Sequence, residues 1–192
     1  MTLATAPSID EPTADPVAAS ALPPVIEATR LHEYFTGLQT GIVAALEAVE
    51  DGATFRVDRW TKAAGSPLAG NGCTCVIEGG RVFERGGVAF SQVSGAALPA
   101  SATARRPELA GCAFAAMGVS LVLHPQNPYC PTAHMNVRAL LATVAEAEPA
   151  WWFGGGMDLT PYYPFDEDIR HFHATCKQAL HAFGDDTHAR YK

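Results

Sequence analysis

The residues best able to do chemistry crowd into one stretch, VSLVLHPQNPYCPTAHMNVR, spanning Val119–Arg138. Its two ends read as strands of period two. On the first, Ser120, Val122 and His124 share a face. On the second, His134, Asn136 and Arg138 do. Antiparallel pairing across the intervening loop brings Ser120, His124, His134, Asn136 and Arg138 onto one surface, with apolar core behind. A lone buried histidine is usually a hydrogen-bonded core residue. Two at mirrored ends of a hairpin, with Ser, Asn and Arg beside them, point to a site. Imidazoles there move protons near neutral pH or bind a metal. Arg138 suits a carboxylate, which it can hold through two parallel hydrogen bonds. Asn136 can donate to or accept from a polar ligand. Pro125, Pro128 and Pro131 stiffen the loop, as a plain connector or as a spacer fixing the two histidines.

Two further stretches carry candidates. WWFGGGMDLTPYYP, Trp151–Pro164, has three consecutive glycines and then Asp158. The glycines fit a turn, a bulge or the close approach of a ligand. Asp158 is either a turn or cap residue, or a carboxylate that accepts from N–H groups or takes a proton. The Trp pair reads as core. In HFH, His171–His173, His173 flanks the apolar stripe of a helix and is a candidate third imidazole, while His171 points to solvent.

These residues must be positioned by regular elements. Val25, Leu31, Phe35, Leu38, Ile42, Leu46 and Val49 recur at helical spacing, so residues 24–51 read as a helix ended by Asp51-Gly52. Strands follow at 54–60, 73–78, 81–84 and 88–93, with Gly79-Gly80 as a hairpin turn. Residues 98–107 read as a polar loop. Further strands are expected at 112–124, 134–141 and 151–156, and a helix at 166–183 with Asp166, Glu167 and Asp168 in its first turn. Short turns between strands, with helices at both ends, give an α+β fold around an antiparallel sheet.

The 192 residues suffice for one ordinary domain, and thirteen basic against twenty acidic residues give a net charge of −7. That balance argues against nucleic-acid binding. The five cysteines are scattered, which suits reduced thiols. Residues 1–24 read as a disordered tail without signal-peptide or presequence character. No apolar run is long enough to span a membrane. A cytoplasmic protein is expected.

VSLVLHPQNPYCPTAHMNVR and WWFGGGMDLTPYYPFDEDIRHFH resemble the signature blocks of the oxygen-dependent coproporphyrinogen III oxidases. FERGGVAFSQVSGAALP and FRVDRW resemble earlier blocks, in family order, over residues 25–192. The resemblance implies a large flat antiparallel sheet flanked by helices, with the site in a cleft and a homodimer as the working form. It implies decarboxylation of two propionates of coproporphyrinogen III to vinyls, with O2 as co-substrate and protoporphyrinogen IX as product. By matching position, Ser120, Asn136 and Arg138 contact substrate and His134 donates a proton. Asp158 faces the pyrrole N–H groups as a catalytic carboxylate. His124, His134 and His173 fall at metal-associated positions. A divalent metal is one option; no haem, flavin or nicotinamide signature occurs.

Two departures stand out. KAAGSPLAGNG at residues 62–72 is poorer in glycine than the family's run there. Residues 25–192 also correspond to about the first two-thirds of the family domain, so the sheet is expected to be incomplete at its C-terminal side, with low stability and little activity. The alternative to an oxidase is therefore a shortened, inactive remnant that at most binds tetrapyrrole. A metal-dependent hydrolase using the three histidines is a weaker alternative, because no HExxH pair is present.

Overall fold

The structure is a computed structural model that describes residues 27–192 except Arg105 and Glu146. The tail expected over residues 1–24 lies outside the described residues. The described chain forms two units, one ending at Pro164 and one comprising Phe165–Lys192.

In the first unit, helix α1 (Ala28–Val49) precedes six strands. These are β1 (Arg56–Thr61), β2 (Ala69–Glu78), β3 (Phe83–Gly95), β4 (Phe114–Pro125), β5 (Thr132–Ala142) and β6 (Ala150–Thr160). Their order in the sheet is their order in the chain, and every neighbouring pair is antiparallel. The α+β class follows as expected. Boundaries differ in two informative places. The separate strands expected at 81–84 and 88–93 are one strand, β3, because Gly86 and Gly87 pair with Leu123 and Val122 rather than turning. The strand expected to stop in the glycines runs through them to Thr160.

One face of the sheet packs against α1. Leu31 and Phe35 on the helix meet Cys73, Cys75 and Ile77 of β2, Val88 and Phe90 of β3, and Met117, Val119 and Leu123 of β4. Phe35, Ile77, Val88 and Val119 are at most 1% exposed, each burial being worth roughly 1.5–3 kcal/mol. Buried Gln39 donates from Nε2 to the carbonyls of Cys73 (2.8 Å) and Val88 (2.9 Å), pinning the helix to two strands. Below α1, the Glu50 carboxylate accepts backbone N–H bonds from Asp51, Arg81, Val82 and Phe83 at 2.6–3.3 Å. This ties the end of the helix to the β2–β3 turn, and a Cβ on Gly80 would come within 2.5 Å of that carboxylate. Burial raises the Glu50 pKa, but the four N–H donors outweigh it and hold the carboxyl below its ordinary value.

The expected polar loop at 98–107 contributes a short helix α2 (Ala100–Thr103) and a 3-10 turn at Pro107–Leu109. It is not wholly polar in effect. Leu98 and Leu109 bury against Phe114, Leu140 and Ala142, with Trp152 beside them, in a second apolar cluster. The Trp pair is split by the pleat: both rings are half-buried, on opposite faces of β6.

The second unit contains α3 (Asp166–Leu180), a 3-10 turn at His181–Phe183, and α4 (Thr187–Tyr191). The three acids sit in the first turn of α3 as expected, and Arg170 bonds Asp166 one turn back at 3.0 Å.

Candidate functional site

The pairing register fixes which side chains share the face opposite α1. Ser120 on β4 lies opposite Asn136 on β5, and Asn136 lies opposite Gly156 on β6. One step along, Val122, His134 and Asp158 form a row. On the other side, Gly118, Arg138 and Gly154 form the next. His124 follows two residues beyond Val122 on the same face, opposite Arg85 of β3. The hairpin therefore gathers Ser120, His124, His134, Asn136 and Arg138 on one surface, and β6 adds Asp158. Behind them, Val119 and Ala139 are buried in the α1 core, with Leu121 and Val137 packed against it.

The polar groups pair with one another. His134 Nδ1 lies 2.9 Å from Asp158 Oδ2, with the two side chains 41% and 58% exposed. This contact leaves the other ring nitrogen, Nε2, as the position from which His134 can pass a proton. Arg138 Nη1 donates to Asn136 Oδ1 at 2.9 Å, which orients the guanidinium and uses only one of its donors. Thr132 Oγ1 and His124 Nδ1 are 3.4 Å apart.

The three glycines of β6 play different parts. Gly155, on the α1 side, is forced: a Cβ there would sit 2.5 Å from the carbonyl oxygen of Asn136. At Gly154 it would meet the Arg138 guanidinium at 3.5 Å. At Gly156 it would meet nothing within 4 Å among the described residues. Packing thus does not demand glycine at 156; what its absence of side chain provides is open space beside Asn136. Asp158 is neither a cap nor a turn residue but lies mid-strand, directly opposite His134.

The face extends past the hairpin. Gly118 and Ser120 lie opposite Ser91 and Ala89 of β3, and Gly87 lies opposite Val122. These small β3 residues were not singled out from sequence, although Gly87, Ala89 and Ser91 alternate at period two. The floor is bounded at the other end of β4–β6 by the Phe114–Leu140–Trp152 cluster, where Arg106 stacks over Trp152 at 5.2 Å.

His173 belongs to the helical unit. It is half-buried on α3, edge-on to Phe172 at 5.5 Å and to His188 at 5.5 Å. Desolvation, and then the positive charges of Lys192 and His188, hold its pKa below the ordinary imidazole value. His171 is exposed. Of the three histidines at metal-associated positions, His124 and His134 stand on the sheet unit and His173 on the helical unit, and no step below runs through a metal.

A sheet face with a hydrogen-bonded His–Asp pair, a braced arginine and a floor of small residues has the chemistry to hold a broad, carboxylate-bearing small molecule. The sequence model of the coproporphyrinogen III oxidase family matches residues 30–192, and the chain belongs to that family. It is thereby placed among the oxidoreductases of porphyrin biosynthesis, with a coproporphyrinogen as the implied substrate. Among the described residues no helix is long and apolar enough to cross a membrane.

Proposed function

We propose that this chain performs the oxygen-dependent reaction, converting two propionate groups of coproporphyrinogen III to vinyls and yielding protoporphyrinogen IX. The observation that carries the reading is the His134–Asp158 pair at 2.9 Å on the same open face as Arg138 and Asn136. Arg138 takes a propionate, charge to charge, while Asn136 holds the guanidinium in place. Asp158 accepts from the pyrrole N–H groups near the macrocycle centre. Ser120 adds a further polar contact.

For each propionate, the bond to the carboxylate carbon breaks and CO2 leaves. That electron pair becomes the new C=C bond. The β C–H leaves as a proton and two electrons, and dioxygen accepts the electrons. The porphyrinogen is itself electron-rich, so it can deliver them to oxygen directly. His134, held by Asp158, serves the proton transfers. A homodimer in the cytoplasm is part of this reading.

The test is aerobic incubation of the purified chain with coproporphyrinogen III, following O2 uptake, CO2 release and product by chromatography. Oxygen uptake coupled to CO2 and protoporphyrinogen supports the reading. Bound coproporphyrin fluorescence with no turnover would instead make the chain a tetrapyrrole-binding module.

A further inference from the structure

We propose that Trp60 is the far wall of the tetrapyrrole bed, a substrate-positioning residue four strands away from Arg138; this deepens the substrate reading above and rests on it. Trp60 sits on β1 in the row Trp60–Gly72–Ser91–Gly118–Arg138–Gly154, which crosses the whole sheet on the candidate-site face. Its indole reaches inward over β2. A Cβ on Gly72 would fall 2.3 Å from its Cζ2 and 2.7 Å from its Cε2. The ring is fixed there: Nε1–H donates to Thr74 Oγ1 at 3.2 Å, and Lys62 Nζ stands 5.4 Å from the ring centroid. Trp60 remains only half-buried.

Between that ring and the Asn136–Arg138 pair lie Ala89 and Ser91 on β3 and Gly118 and Ser120 on β4. None is larger than serine. The ring rests on β2 and Arg138 stands on β5, so three strand spacings of ~4.8 Å put them roughly 14 Å apart across this floor. The two ends are chemically complementary to one amphipathic macrocycle. A guanidinium matches a propionate at one end. An indole matches the apolar pyrrole ring and its methyl groups at the other. The competing explanation is that Trp60 merely covers a glycine near the sheet edge, as aromatics do across from strand glycines. That role would move stability and leave ligand binding alone.

The test uses the full chain labelled with 5-fluorotryptophan and titrated with coproporphyrin III. The 19F resonance of Trp60, assigned by Trp60→Phe, should shift through the porphyrin ring current. Trp151, on the opposite face, should not shift. In parallel, Trp60→Ala should weaken coproporphyrin binding about tenfold, or ~1.4 kcal/mol, and Trp60→Phe by about threefold or less. If Trp60→Ala does not fold, the Phe variant and the 19F shift decide. An unshifted Trp60 resonance, with Arg138→Ala still weakening binding, overturns the inference and leaves the substrate reading standing. If neither Arg138→Ala nor the Trp60 variants change binding, both fall.

Discussion

Replacing Gly156 by valine separates the fold from the site. The position lies in mid-strand on β6, opposite Asn136, and a Cβ there meets nothing within 4 Å among the described residues. Glycine inside a strand costs about 0.5–1 kcal/mol relative to alanine, and β-branched residues favour strands. The variant should therefore be as stable as the parent or up to ~1 kcal/mol more so, a rise in Tm of about 0–4 °C. The new side chain, however, stands on the candidate-site face where a flat macrocycle would lie. Lifting roughly twenty macrocycle atoms out of contact, at ~0.1–0.2 kcal/mol each, forfeits about 2–4 kcal/mol. That is about 30- to 1000-fold in Kd. Fluorescence titration with coproporphyrin, beside a melting curve, measures both quantities. Unchanged affinity at unchanged Tm would refute the assignment of this face to the ligand.

Three other perturbations test separate parts of the molecule. Asp158→Asn removes the negative charge from a half-exposed pair, so stability should change by less than ~1 kcal/mol. Turnover of coproporphyrinogen should nonetheless fall by about 10²–10⁴, the usual worth of a positioned proton carrier; an equal fall in both would mean that the pair is structural. Gln39→Leu leaves the buried carbonyls of Cys73 and Val88 without their side-chain donor and should cost ~1–3 kcal/mol in urea unfolding. The Glu50 carboxyl is held below its ordinary value, so the folded state binds its proton more weakly than the unfolded state does. The resulting stability is present above the unfolded pKa and lost as pH falls through the folded one. Glu50→Gln should lower Tm by several degrees at neutral pH and flatten the acid limb of the stability profile; parallel profiles for the two proteins would contradict this.

Much of the candidate site was legible because period-two alternation in Ser120–His124 and His134–Arg138 assigns faces without any knowledge of the rest. A polar face on a strand whose other face is Val119, Leu121 and Leu123 permits one arrangement. The placement of Asp158 was not legible: a carboxylate after three glycines looks like a turn, and only the β5–β6 register sets it against His134. Nor could local pattern separate the three glycines. Gly155 is dictated by a carbonyl on the neighbouring strand, a tertiary fact with no trace in its own flanks. Gly86-Gly87 misled in the opposite direction, since glycine pairs that commonly end strands here lie inside β3. The second apolar cluster was hidden because its residues are dispersed, Leu98 in the expected polar loop, Leu109 just beyond it, and Phe114 and Leu140 on two different strands.

The strand order has a kinetic meaning. Each strand pairs only with its neighbours in the chain, so the sheet can grow hairpin by hairpin with small loop-closure costs. The long-range bonds are different. Gln39 reaches residues 34 and 49 positions away, and Glu50 reaches others 31 to 33 away. Such contacts form after the meander in this scheme, and their loss should then accelerate unfolding far more than it slows folding. Helix α1 would be the latch on a sheet that assembles without it, and the protein's lifetime in the folded state would depend on what fastens that latch: the buried Leu31 and Phe35, Gln39, and Glu50 at the helix end.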